Sequence, residues 1–68
     1  MTIDQLRYVT EVAKCRSFNQ ASENLYISQP SLSVSIRKLE EELGEPLFVR
    51  SSAGVTLTPF GIELLPYI

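Results

Sequence analysis

The chain has 68 residues, a formal net charge of −2 and a hydrophobic content of 44%. That is room for one small domain, too apolar for a disordered chain, and without an apolar run of membrane-spanning length. One cysteine, Cys15, and no histidine exclude an internal disulfide and a Cys/His metal site. No cofactor is expected. Without a Gly-rich phosphate loop or a separated acid/base pair, neither is an enzyme. A free thiol and an N-terminus lacking a charged-then-apolar leader point to the cytoplasm. So small a domain buries only about 60% of the surface its unfolded chain exposes, and a second chain or domain is its expected staple.

In chain order, Thr2 and Gln5 have the spacing of a capping box, and a first helix is expected from about Ile3 to Lys14. Ile3, Leu6, Val9 and Ala13 share one face of it, while Tyr8, Val12 and Cys15 fall on nearly the opposite face. The second stripe reads either as ordinary surface or as the seat of another helix. The second reading is favoured and predicts a dimer, with Ile62 and Leu65 as partner residues. Ser17 and Gln20 repeat the capping spacing before a short helix, Phe18 to about Leu25, with Phe18, Ala21 and Leu25 inward. Ser28 then caps a third helix with Pro30 in its first turn, where a missing amide hydrogen costs nothing. Leu32, Ile36, Leu39 and Leu43 form its core stripe, and Gly44 with Pro46 ends it. Two β-type runs, Leu47 to Arg50 and Val55 to Thr58, flank a turn at 51–54. Thr58 and Pro59 open a last helix, and Pro66 interrupts it.

Two short helices, a tight turn and a longer capped helix make a helix-turn-helix pattern, locked by Ala21, Leu25, Ile27 and Leu32. Tyr26 occupies the turn, where many such motifs have glycine. The third helix shows short side chains in its N-terminal half, which lets a helix approach base edges in a major groove. Gln29 can pair with adenine, Ser33 with either base type, and Pro30 and Val34 can meet a thymine methyl. Ser28, Ser31, Ser35, Arg37, Lys38 and Arg50 are candidate contacts to a DNA backbone. The bland reading of the same residues is an N-cap followed by a solvated serine face. The acidic balance counts against nucleic acid, but Glu40, Glu41, Glu42 and Glu45 gather at the far end of the helix, away from this face. Glu41 and Glu42 also have the i, i+4 spacing for weak pairs with Arg37 and Lys38.

Ser17-Phe18, Ala21, Leu25, Ser28-Gln29-Pro30, Ser33, Ile36, Leu39-Glu40-Glu41-Glu42-Leu43-Gly44, Leu47-Phe48, Arg50 and Leu57-Thr58-Pro59-x-Gly61 together resemble the N-terminal domain of LysR-type transcriptional regulators, over nearly the whole chain. The resemblance implies a mainly α fold: a winged helix-turn-helix of three helices and a two-stranded β wing over 1–58, then the start of a linker helix at 59–68. It implies sequence-specific binding of double-stranded DNA for transcriptional regulation, with a recognition helix over about 28–43 in the major groove. The wing at 47–58 would lie at the backbone or minor groove. Gln29, Pro30, Ser33 and Val34 would face bases, and Arg50 would reach the backbone or minor groove. It also implies a homodimer, with a tetramer open to the full-length protein. A small-molecule effector would act only through a C-terminal domain, which this chain is expected to lack. Two positions depart from the pattern: Val34 stands where many relatives have arginine, and the wing tip has no basic residue. The competing expectation is a helix-turn-helix used only as a protein–protein interaction module.

Overall fold

The computed structural model describes residues 2–52 and 54–67. The elements run α1 (Ile3–Cys15), α2 (Phe18–Leu25), α3 (Gln29–Leu43), β1 (Phe48–Ser51), β2 (Gly54–Leu57) and α4 (Pro59–Leu64), with a closing 3-10 turn at Leu65–Tyr67. The helices start where the capping residues predict. The Thr2 hydroxyl accepts from the Gln5 amide at 3.0 Å, and Gln5 Oε1 accepts from the Thr2 amide at 2.9 Å, closing the expected capping box. Ser17, Ser28 and Thr58 each accept from the amide three residues on. At α2 the reciprocal bond is replaced: Gln20 donates to Asn24 at 3.0 Å within the helix.

α1 and α2 end on non-glycine residues in the left-handed region, Arg16 at φ 55° and Tyr26 at φ 59°. Tyr26 thus supplies the turn of the helix-turn-helix at a steric cost of about 1–2 kcal/mol, and its ring stays in solvent at 94% exposure. The turn closes when the Ile27 amide donates to the Ser22 carbonyl at 3.1 Å. The expected lock is present: Ala21 and Leu32 are fully buried, and Leu25 and Ile27 pack against the same core.

That core joins Val9 and Val12 of α1, Phe18 and Ala21 of α2, and Leu32, Ile36 and Leu39 of α3 to Leu47, Phe48 and Val55 of the hairpin. The expectation of two opposed apolar stripes on α1 fails here. Val9 and Val12 both lie in this core, because residues three apart are only about 60° apart around a helix. Ile3, assigned to the core stripe, is 78% exposed.

The hairpin is antiparallel, with Phe48 opposite Leu57 and Ser51 opposite Gly54. Each strand is shifted by one residue from the expected runs, because Leu47 and Thr58 spend their backbone on a junction below the ladder. There the Thr58 amide donates to the Leu47 carbonyl at 2.9 Å, and the Thr58 hydroxyl donates to the Pro46 carbonyl at 2.7 Å. α4 packs on this junction through Gly61, where a Cβ would stand 2.5 Å from the Leu47 carbonyl oxygen. The other end of the wing is tied down as well: the Val55 amide donates to the carbonyl of Arg16, at the α1–α2 corner, at 3.2 Å.

Candidate nucleic-acid interface

α3 is backed by Leu32, Ile36 and Leu39, all fully or almost fully buried, which fixes the rotation of its remaining faces. Pro30, Val34 and Lys38 follow each other at i, i+4 spacing on the exposed side. With Ser31 and Ser35 they line a shallow, open concavity. Val34 is 37% exposed, an apolar residue available for contact. Toward α1, the Ser35 carbonyl accepts from Gln5 Nε2 at 3.4 Å. Ser28 Oγ both caps the Ser31 amide and donates to Ser31 Oγ at 2.8 Å.

The opposite flank of α3 faces the wing. Gln29 Nε2 donates to Ser33 Oγ at 2.8 Å, and Arg50 Nη2 reaches across from β1 to donate to the same oxygen at 2.7 Å. The Arg50 guanidinium lies over the Phe18 ring, 3.7 Å from its centroid. Phe18 in turn meets Phe48 edge-to-face, centroids 6.0 Å apart. The Arg50 guanidinium, expected to reach outward, thus makes two contacts within the domain while the residue stays exposed. A groove between the starts of α2 and α3 and the wing gathers Arg16, Ser17, Gln29 and Arg50. Arg16 is a cation the sequence reading missed. It lies between α1 and the Ser17 cap of α2, away from α3 in the chain, and only tertiary packing puts it in the same groove as Gln29.

The carboxylates divide. Arg37 Nε and Glu41 Oε1 form the expected i, i+4 pair at 3.8 Å, well exposed on both sides and so worth little. Glu40, grouped in the sequence with a solvated acidic end, instead folds back. Its Oε2 accepts from the amides of Leu47 at 2.6 Å and Phe48 at 3.2 Å. It is a structural acceptor that anchors the wing to α3.

Of the residues expected to receive a second chain, Val12 offers no surface, being 0% exposed. Tyr8 and Leu65 are partly buried against the core, and Ile62 is 59% exposed. Cys15 is tied to α2: its thiol donates to Glu11 Oε2 at 3.2 Å and accepts from Asn24 Nδ2 at 3.3 Å. The hydrogen bond to Glu11, then burial and the carboxylate's charge, push the thiol above its ordinary value. The Asn24 amide, then the thiol, hold the Glu11 carboxyl below its own. Since the thiolate is the nucleophile, iodoacetamide at neutral pH should alkylate Cys15 more slowly in the folded chain than in urea. Glu11→Gln should speed the folded reaction, and equal rates for folded and unfolded chains would contradict this geometry.

Among the described residues no helix is long and apolar enough to cross a membrane, and no group of three His, Cys, Asp or Glu could hold a metal ion.

Three helices whose third is flanked by a two-stranded hairpin packed on the same core define a winged helix-turn-helix. The family model described as "Bacterial regulatory helix-turn-helix protein, lysR family" matches residues 3–62, and the chain belongs to that family. It is 54% identical over 61 residues to an uncharacterized HTH-type transcriptional regulator of Bacillus subtilis, YcgK, covering 90% of this chain and 19% of the relative. It is 43% identical over 67 residues to the HTH-type transcriptional regulator HdfR of Yersinia enterocolitica, covering 98% of this chain and 23% of that one. The chain thus spans about a fifth of the length of these curated relatives. Among solved structures it is similar to the BenM_DBD/catB site 1 DNA complex, with a TM-score of 0.94, 43% identity, and coverage of 98% of this chain and 75% of that one. It is also similar to the CbnR_DBD-DNA complex, with a TM-score of 0.93, 34% identity, and coverage of 98% and 77%. A longer chain matches as well: OxyR of Corynebacterium glutamicum (C206S mutant, H2O2-bound) aligns with a TM-score of 0.94 and 45% identity over 97% of this chain and 21% of its own.

Proposed function

We propose that this chain is a DNA-binding domain that regulates transcription by placing the N-terminal half of α3 in a major groove. The observation that carries the reading is the division of α3. Its exposed first half bears the small and apolar Pro30, Ser33 and Val34 beside Gln29 and the Arg16/Arg50 groove. Its carboxylates lie at the other end, with Glu40 consumed by the wing. DNA then meets a local positive field although the net charge is −2. The similarity to the BenM_DBD and CbnR_DBD domains, both solved in complex with DNA, supports DNA binding. Gln29, Pro30, Ser33 and Val34 are the proposed base contacts, and Ser28, Ser31, Ser35, Arg37, Lys38 and Arg16 the proposed backbone contacts.

Selection of bound sequences from a random duplex pool tests this, with an enriched half-site as the expected result. A folded chain that enriches nothing would favour the alternative of a protein–protein module. Gln29→Ala should cost about 1–3 kcal/mol at one base pair of the selected site and little elsewhere. An equal loss on every sequence would make Gln29 a backbone contact. With Arg16, Arg37 and Lys38 as the phosphate-facing cations of each of two protomers, the slope of log K against log salt should be about −5.

The working unit in this proposal is a cytoplasmic homodimer, with Ile62, Leu65, Tyr8 and Cys15 at or near the contact. Any small-molecule effector acts through a separate effector-binding domain. Ile62, apolar and exposed on α4, supports the pairing. Sedimentation should show dimers at high concentration that Ile62→Glu disrupts, and a monomer at all concentrations would remove this part of the proposal.

A further inference from the structure

Arg50 follows Phe48 by two residues on β1, so strand alternation sends both side chains to the same face. That face holds Phe18, against which Phe48 packs edge-on and over which the Arg50 guanidinium lies. The stacked fork is thereby aimed at α3, where Nη2 donates to Ser33 Oγ at 2.7 Å. Ser33 Oγ also accepts from Gln29 Nε2 at 2.8 Å.

The hydrogen-bond inventory of these groups has a consequence for what they can read. A serine hydroxyl has two lone pairs and one proton. With both lone pairs taken, Ser33 offers only its O–H, and among the described residues that proton has no acceptor. Gln29 gives one of its two N–H groups to Ser33. It keeps one N–H and its carbonyl oxygen, the pair that matches N7 and N6 of adenine. Arginine suits this place because it donates only and never deprotonates in a protein. It holds one Ser33 lone pair as an acceptor, and the Gln29 amide bonds the same oxygen.

We infer that Arg50 is a positioning residue that clamps the wing to α3 and, through Ser33, holds Gln29 in place for reading bases. In this role it acts through Ser33, and the domain's base preference depends on a wing residue that touches no base. The inference rests on the DNA-binding reading above.

Two measurements test it. In NMR spectra of the chain alone, the Arg50 δ-methylene and Nε protons should be shifted upfield by the Phe18 ring current. Random-coil shifts would overturn the clamp whether or not the chain binds DNA. Then duplex selection and binding are compared for the unaltered chain, Arg50→Gln, Arg50→Lys, Ser33→Ala and the Arg50→Gln/Ser33→Ala double variant. Arg50→Gln should reduce discrimination about tenfold at the base pairs read by Gln29 and Ser33 and leave the salt slope unchanged. Arg50→Lys, which restores charge without the planar fork, should not rescue it. The double variant should lose no more than the larger single loss.

A uniform loss of affinity on all sequences, with the slope falling by about 0.9 for each arginine removed and rescue by lysine, would overturn the inference in favour of a phosphate contact. Additive losses in the double variant would overturn it too. If the unaltered chain enriches no sequence, the DNA-binding reading fails and the base-reading role of Arg50 falls with it, while the ring-current shift still reports whether the clamp forms.

Discussion

Leu32→Ala is expected to remove about 2–5 kcal/mol of stability, the usual cost of truncating a fully buried leucine. Leu32 is 0% exposed, in the core cluster that joins α3 to Val9, Val12 and Ala21. A domain of this length has roughly 3–10 kcal/mol in total, from the typical stability per residue. The variant should therefore lose a large part of its stability and unfold at a markedly lower urea concentration. Urea denaturation followed by circular dichroism checks it. Leu32→Met, which conserves volume, should cost less than about 1.5 kcal/mol and keep binding. A Leu32→Ala variant within about 1 kcal/mol of the parent would mean that α3 is not seated on a close-packed core.

Glu40→Ala is expected to cost about 2–4 kcal/mol, because hydrogen bonds to a charged acceptor are strong and their buried donors are left unpaired when it is removed. The carboxylate bonds the amides of Leu47, which is 1% exposed, and Phe48, which is 9% exposed, at the entry to the wing. Glu40→Gln, which keeps one acceptor oxygen without the charge, should cost less. The contrast is Glu41→Ala. Glu41 stands next in sequence but pairs with Arg37 in solvent at 3.8 Å, so its loss should cost about 0–1 kcal/mol. Chemical denaturation of the three variants separates them, and equal losses for Glu40→Ala and Glu41→Ala would show that the wing is not anchored through Glu40. The same measurement bears on function, since the wing carries Arg50 to Ser33.

These two carboxylates show where sequence reasoning ran out. Leu39 to Gly44 reads as the end of an amphipathic helix with a solvated acidic face, and for Glu41 that is what the structure contains. Nothing local distinguishes Glu40. Its role depends on amides seven and eight residues later, delivered beneath it by the turn at Gly44 and Pro46. Arg50 is the same case. A basic residue in a β-type run reads as a surface cation, which Arg50 is, but its contacts with Ser33 and Phe18 follow from hairpin register and from the docking of the hairpin on α2 and α3. Val12 was misread for a different reason. Alternate apolar positions on α1 read as two opposed stripes, although Val9 and Val12 are close enough around the helix to share one core.

The local chemistry of the chain, by contrast, was sufficient to place its helices. Thr2, Ser17, Ser28 and Thr58 cap through bonds that span three residues, and Gly44 ends α3 at φ 84°. Interactions of that range are complete within a few residues, so the sequence alone determined the helix starts, the turn at Tyr26, the apolar back of α3 and the short side chains on its exposed half. Tertiary structure alone decided what those exposed side chains can do. The wing's register, the anchor at Glu40, the groove that Arg16 shares with Gln29 and the reach of Arg50 to Ser33 all depend on residues apart in the chain, which only tertiary packing brings together.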